Sequence, residues 1–164
     1  MTRKPMSPLE IRRFMYAGKA SLTMCNTRNG RKILYEILSF ESKSNMWRVM
    51  VNTIYKRNKW YYLSCINGSK PDRLTNTTSK FKPSDKEWVA FEMLLRHVHT
   101  LSKDDMSHTL SKDDMSHVEI THNGYCGRCG RRLHDDKSVM RGFGPVCWKH
   151  VDSYDSPYKR KEVM

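Results

Sequence analysis

Three cysteines near the C-terminus constrain this chain more than any other feature. Cys126 and Cys129 form a C-x-x-C pair, and Cys147 follows further along the chain. The short gap lets both thiolates of the pair turn back onto one metal ion, and Gly127 and Gly130 are expected to supply the positive φ angles that such a tight turn needs. The pattern predicts one structural zinc ion, which prefers four ligands in a tetrahedron, so one ligand remains to be found.

Two histidines are candidates for this fourth ligand. His150 lies three residues after Cys147, so the two side chains would share one face if a short helix begins there. His122 lies four residues before Cys126 and could reach the metal from the incoming strand or loop. Spacing alone does not decide between them. A redox dithiol is another interpretation of the C-x-x-C pair, but no strand-helix pattern of the thioredoxin kind precedes it.

The C-terminal segment resembles a family of small phage and bacterial proteins of uncharacterised function that carry a finger of the form H-x-G-x-C-G-R-C-G-R-x-L-x-x-x-x-S-x-x-x-G-x-G-P-x-C. The matching positions are His122, Gly124, Cys126, Gly127, Arg128, Cys129, Gly130, Arg131, Leu133, Ser138, Gly142, Gly144, Pro145 and Cys147. The resemblance implies that His122 joins the three cysteines at the metal. More loosely, the N-terminal half resembles the same family in a G-x-A-x-x-T strand and in tryptophan- and tyrosine-rich strands, and the matching residues there are Gly18, Ala20, Thr23, Trp47 and Tyr62.

The charge of the chain favours a polyanionic partner. Lysine and arginine number 30 against 17 aspartates and glutamates, which gives a formal net charge of +13 at pH 7. Nucleic acid is therefore the expected partner, because neutralising phosphates is the main source of affinity in such complexes. The candidate contacts on the finger are Arg128, Arg132, Arg141 and Lys149. Arginines of the knuckle could instead pack on Trp148 for structural reasons.

A second functional class stays open. A phage adaptor or inhibitor could dock on a host protein, such as a polymerase, a nuclease or a defence complex, with zinc purely structural. An enzyme is not expected, because the sequence shows no paired carboxylates, no nucleophile elbow, no phosphate-binding loop and no H-x-E of the zinc deaminases. For the same reason no small-molecule substrate is expected.

The remaining cysteines and the apolar segments bear on localisation. Cys25 and Cys65 lie in strand-like runs, where a lone cysteine usually packs as a small hydrophobe. An odd number of cysteines without a signal-peptide core predicts reduced thiols in a cytoplasm, which would be that of the host cell if the protein is phage-encoded. No apolar run approaches the roughly 18 to 20 residues that span a bilayer.

Hydrophobic periodicity predicts an α+β fold. A first helix should begin with a capping box between Ser7 and Glu10 and stop at Gly18. Four alternating runs, at residues 19–25, 32–40, 46–52 and 60–66, predict an antiparallel meander. A second amphipathic helix, with a capping box between Ser84 and Glu87, ends near residue 99 and should cover the sheet.

Aromatic and basic residues mix in these strands. They could form a stacking platform with a charged rim for single-stranded nucleic acid, although aromatic residues in strands commonly face the core. The platform candidates are Trp47, Tyr55, Trp60, Tyr61 and Tyr62, with Arg48, Lys56, Arg57 and Lys59 beside them.

The predicted organisation has four parts. Residues 1–99 form the α+β domain, 100–117 a polar linker, 118–151 a treble-clef or knuckle-type zinc finger, and 152–164 a basic, disordered tail. Within the linker region, residues 99–107 repeat identically as residues 108–116, which is typical of a recent duplication in a segment that tolerates changes in length. The interpretation that His99, His108 and His117 together bind a metal is disfavoured.

Overall fold

The computed structural model describes residues 3–40, 45–52, 59–75, 79–100 and 115–151, and it confirms the α+β class. A six-stranded antiparallel sheet is combined with helices and a C-terminal cysteine cluster compatible with a small zinc finger. The elements are α1 Pro8–Met15, β1 Lys19–Asn26, β2 Lys32–Ser39, β3 Met46–Asn52, β4 Trp60–Asn67, β5 Leu74–Thr75, α2 Lys86–Thr100, β6 Val118–His122, α3 Asp136–Arg141 and α4 Pro145–Trp148.

The sheet is wider than the four-stranded meander that the sequence predicts. Its strand order is β5-β4-β3-β2-β1-β6. The short strand β5 extends one edge, and β6 pairs antiparallel with β1 at the other, with Leu22 opposite His122 and Asn26 opposite Val118. Residues 118–122, which the sequence analysis grouped with the finger, are therefore an edge strand of the main sheet and carry the chain directly from the sheet into the cysteine cluster.

Helices α1 and α2 cover one face of the sheet and form the core with it. Tyr16 of α1's C-terminal cap stacks edge-on against Trp47 of β3 at 4.8 Å between ring centroids, and Tyr35 of β2 lies at the same distance from Phe91 of α2. Burial, with a contribution from the carboxylate of Glu87, raises the pKa of Tyr35, whose hydroxyl donates to the Glu87 carbonyl at 2.9 Å. The predicted capping box of α1 is confirmed, because Ser7 and Glu10 each accept a hydrogen bond from the other's backbone N–H.

The opposite face of the sheet is not covered by any of the described helices. Residues that alternate with the core positions form rows across it, one of which runs from Ser21 through Glu36 and Met50 to Tyr62. A neighbouring row contains Leu34 and Trp60. These side chains are half-buried. We call this surface the open face.

The predicted aromatic platform is only partly on this open face. Trp47 is fully buried in the core, and Tyr61 packs against the core, so the core-facing alternative holds for these two residues and neither belongs to a platform. A register shift between Val49 and Met50 places Met50 opposite Tyr62, which leaves Tyr62 and Trp60 on the open face. Tyr55, Lys56 and Arg57 lie outside the described residues, whereas Arg48 and Lys59 are exposed.

Several sequence predictions fall outside the described residues. They concern most of the duplicated segment, at residues 101–114 and including His108, and the basic tail at residues 152–164. The division of the chain into four parts stays a prediction. Within the described ranges, no helix has the length and apolar character needed to cross a membrane.

Candidate metal centre

A short hairpin carries the first two cysteines of the cluster. Tyr125 and Arg132 face each other across an antiparallel bridge, and the N–H of Cys126 donates to the carbonyl of Arg131 at 2.8 Å. The turn closes when the N–H of Gly130 donates to the carbonyl of Cys126 at 2.9 Å. Gly130 has a φ of 74°, as the sequence predicts for a knuckle glycine.

The helices α3 and α4 bring the third cysteine to this hairpin. Asp135 caps α3 by accepting from the N–H of Ser138 at 3.0 Å, and hydrogen bonds from Ser138 lower the pKa of its carboxyl. Gly142 ends the helix in the left-handed conformation at a φ of 79°. Pro145 then opens α4, whose only buried residue is Cys147.

The three sulfurs lie within 4.8 Å of one another and could hold one metal ion. Cys126 and Cys147 are buried, whereas Cys129 is exposed. Thiolate donors at this spacing match the chemistry that zinc prefers in structural sites. The residues present therefore fit a zinc ion, in agreement with the sequence prediction for all three cysteines.

The local electrostatics suit a bound cation. Burial alone would raise the pKa of the Cys126 thiol, but hydrogen bonds from the backbone of Cys129, Gly144 and Arg128 more than offset it, so this pKa is lowered. Burial raises the pKa of the Cys147 thiol to about 11, and the neighbouring Cys126 adds to the effect. Three adjacent thiols resist ionising together, and a divalent cation between them removes that repulsion.

His122 is engaged elsewhere and is not part of the group of three sulfurs. Its Nδ1 accepts from the N–H of Gly124 at 3.0 Å, and its Nε2 lies within hydrogen-bond distance of the Val139 carbonyl. Burial lowers the pKa of His122, which favours the neutral ring that these two bonds require. Either nitrogen would have to give up a backbone hydrogen bond to bind a metal.

His150, the other candidate, lies just after α4 and is exposed. Its backbone N–H donates to the carbonyl of Cys147 at 3.1 Å, and Lys149 between them has helical φ and ψ, so the turn continues as far as His150. The imidazole of His150 is also outside the group of three sulfurs. The side chain of His150 is exposed, whereas the ring of His122 is buried.

The hairpin docks directly on the first helix. A Cβ atom on Gly127 would lie 2.6 Å from Cδ2 of Phe14, and one on Gly142 would lie 3.0 Å from the same atom. The carbonyl of Gly127 accepts from the N–H of Lys19 at 2.8 Å, which joins the knuckle to the start of β1. The prediction that Gly127 needs a positive φ is wrong, because its φ is not positive and the close approach of Phe14 is what requires glycine there.

We predict that Gly127→Ala destabilises the protein by about 1 to 3 kcal/mol, because the added methyl group overlaps a fully buried aromatic ring. Gly144→Ala is the matched control, since an added Cβ there meets no atom within 4 Å and should cost at most about 1 kcal/mol through the cap of α4. Chemical denaturation of both variants measures the difference. Equal effects of the two substitutions would contradict the docking of Gly127 on Phe14.

The predicted basic contacts differ in their surroundings. Arg132 and Lys149 are exposed, whereas Arg141 is half-buried with its guanidinium 5.0 Å from the centre of the Trp148 ring. Arg128 is exposed, but one of its nitrogens lies 4.0 Å from the sulfur of Cys147. Arg141 and Arg128 therefore have packing or metal-site contacts. The alternative interpretation expected a knuckle arginine on Trp148, whereas Arg141 of α3 is the residue found there. Arg132 is the more accessible cation.

The fold and the cysteine cluster define an α+β protein with a possible metal-binding site at its C-terminal end. Residues 117–152, which span β6, the hairpin and both short helices, match a family of unknown function, DUF6011. Neither the curated proteins nor the solved structures contain a significant match to the chain.

Proposed function

We propose that the chain binds nucleic acid without catalysis, through a basic finger whose shape is fixed by one zinc ion. The observation that carries this proposal is a hydrogen-bonded hairpin with exposed cations on it, in a chain whose net charge is +13. Arg131 and Arg132 on the hairpin, Lys137 on α3 and Lys149 after α4 are all exposed. A metal-stabilised surface fixes such cations in place before they meet phosphates, which reduces the ordering cost of binding.

We infer that Cys126, Cys129 and Cys147 bind the zinc and that His150 supplies the fourth ligand. The resemblance to the phage and bacterial finger family favours His122 instead. The two backbone hydrogen bonds of His122 support the choice of His150, because they explain why a histidine is suited to position 122 without a metal. In this interpretation His122 fixes the geometry of the loop that leads into the hairpin.

A salt titration of single-stranded oligonucleotide binding tests the function. The logarithm of the association constant should fall linearly with the logarithm of the salt concentration. Each phosphate contact should contribute about −0.7 to the slope of that line. Arg132→Ala should weaken binding and reduce the slope by about this amount. Lys70→Ala is the matched control, because Lys70 is also exposed but lies between β4 and β5, at the opposite edge of the sheet from β6.

The result would contradict the proposal if the wild-type protein showed no salt-dependent binding, or if Lys70→Ala and Arg132→Ala weakened it equally. Arg128→Ala is a less direct variant, because the guanidinium of Arg128 lies close to the sulfur of Cys147 and its loss could disturb the metal site.

A second function is favoured by two exposed apolar side chains on the finger. Met140 of α3 is 73% exposed and Val146 of α4 is 67% exposed. Exposed apolar groups on a small domain often mark a protein-binding surface, which suits an adaptor that docks on a host protein. A pull-down from nuclease-treated lysate separates the two functions. An adaptor would retain one protein through wild type and lose it with Met140→Glu, whereas nucleic-acid binding would not depend on Met140.

A further inference from the structure

Two cavities meet beside the hairpin and share the side chains of Asn123 and Tyr125. One, of about 350 Å³, opens next to the finger and is lined by Arg3, Arg132 and His134. The other, of about 470 Å³, lies on the open face of the sheet and is lined by Glu36 and Trp60, among others. We call them the cationic cavity and the sheet cavity.

The cationic cavity has the chemistry of an anion site. None of the described residues that line it carries a carboxylate. Arg3 is fixed there by a hydrogen bond from Nη1 to the carbonyl of His122 at 3.1 Å. Gly124 lets the guanidinium approach the backbone, because a Cβ atom at that position would lie 2.7 Å from Nη2 of Arg3. Two guanidinium groups and an imidazole therefore surround a space large enough for a phosphate group.

The sheet cavity has different chemistry. Leu34, Leu38 and Trp60 give it apolar walls, and its charged lining residues are Glu36 and Lys19. Glu36 is half-buried, and it forms no hydrogen bond or ion pair with the side chains in the described part of the chain. Burial raises the pKa of this carboxyl. An unpaired acceptor in an otherwise basic protein is suited to receive N–H groups from a ligand.

Tyr125 lies at the boundary of the two cavities and is 44% exposed. The hairpin that carries Cys126 and Cys129 fixes the position of Tyr125, because Tyr125 lies directly opposite Arg132 in the antiparallel bridge of that hairpin. Asn123 beside it is fixed by hydrogen bonds to β1, with Nδ2 donating to Ser21 at 2.8 Å and Oδ1 accepting from Thr23 at 2.5 Å. The cationic cavity, which suits an anion, and the sheet cavity, which offers aromatic rings and an acceptor, are therefore neighbours that share Asn123 and Tyr125.

We propose that these two cavities together bind one nucleotide unit of a single-stranded nucleic acid, with its phosphate in the cationic cavity and its base in the sheet cavity against Tyr125 and Trp60. The Watson–Crick edge of the base donates to Glu36, and guanine is preferred because its ring N–H and amino group offer two adjacent donors to one carboxylate. A duplex is excluded, because pairing hides that edge. This inference rests on the proposed nucleic-acid function and assigns its base-binding site.

Fluorescence anisotropy at fixed salt tests the site with labelled oligothymidylates of about 12 nucleotides, with and without one central guanine. Tyr125→Leu keeps an apolar side chain but removes the aromatic ring, so both oligonucleotides should bind about tenfold more weakly. Glu36→Gln should weaken binding of the guanine-containing oligonucleotide more than binding of oligothymidylate, and so abolish the preference for guanine. Arg3→Ala should reduce the slope of the salt dependence by about 0.7. Thermal unfolding and metal content of each variant are measured alongside.

The outcomes separate this inference from the proposed function. If the wild type binds in a salt-dependent manner and Arg132→Ala weakens it, but Tyr125→Leu and Glu36→Gln change neither affinity nor base preference, the nucleotide site is wrong and the general function stands. If the wild type binds no oligonucleotide, both are wrong. Equal affinity for a duplex, or for guanosine monophosphate alone, would also overturn the single-strand assignment.

Discussion

Removing the metal with a chelator is expected to unfold the C-terminal finger and to lower the melting temperature more than any single substitution outside the metal site. Cys126 and Cys129 come from the hairpin and Cys147 from α4, and the finger has few buried apolar side chains of its own, chiefly Leu133 and Phe143. Zinc binding contributes about 10 to 16 kcal/mol to the folding of isolated zinc fingers near neutral pH, so the metal should dominate the stability of this segment.

Cys126→Ser should reproduce the effect of chelation, and Cys25→Ser is its matched control. Cys25 is a half-buried thiol on β1 and is not part of the cluster, so its replacement should cost little. Circular dichroism melts with and without a chelator measure both variants. The account is contradicted if the chelator leaves the wild-type melting curve unchanged, or if the two serine variants behave alike.

The second large effect is expected at Phe14, whose ring is the principal contact between the finger and the helical layer. Phe14 is fully buried and lies below Gly127 and Gly142, with its ring centroid 5.7 Å from that of His122 and 5.8 Å from that of Phe143. Phe14→Ala should cost about 3 to 5 kcal/mol of stability through the cavity it leaves. It should also weaken metal binding, because the hairpin and α3 lose the surface on which they are docked.

Phe91→Ala separates these two consequences. Phe91 is equally buried, but it packs on Tyr35 in the core between α2 and the sheet, away from the finger. Its loss should cost a similar free energy of unfolding and leave the metal affinity unchanged. Chemical denaturation measures the free energy of unfolding, and competition against a chromophoric chelator measures the metal affinity. A similar loss of metal affinity in both variants would show that Phe14 acts only through global stability.

Local patterns in the sequence predict the elements that local chemistry determines. The capping box of α1, the hairpin strands and the spacing of the three cysteines are examples, since each depends on residues that are neighbours along the chain. The short strands β5 and β6 were not predicted as part of the sheet. Strand β5 has only two residues, which is too few to show a periodicity. The five residues of β6 alternate too briefly to be distinguished from a loop.

The details of the site depend on contacts between distant residues, which no local pattern contains. Gly127 has its role because Phe14 approaches it, and the nitrogens of His122 are occupied partly because Val139 of α3 comes close. Arg3, which the sequence analysis did not single out, reaches the site through a hydrogen bond that spans 119 positions of the chain. The register shift between β3 and β4, where Leu63 of β4 has no partner in the register, likewise decided which aromatic residues face the open side.

Native mass spectrometry of a matched set of variants tests the central proposal most directly. The wild-type protein should carry one zinc ion per chain, and so should His122→Ala, because both nitrogens of that ring are occupied by backbone partners. Cys126→Ser should carry none, and His150→Ala should lose its ion at lower chelator concentrations than the wild type. A wild-type protein without bound metal would contradict the account, and loss of zinc in His122→Ala with retention in His150→Ala would contradict its ligand set.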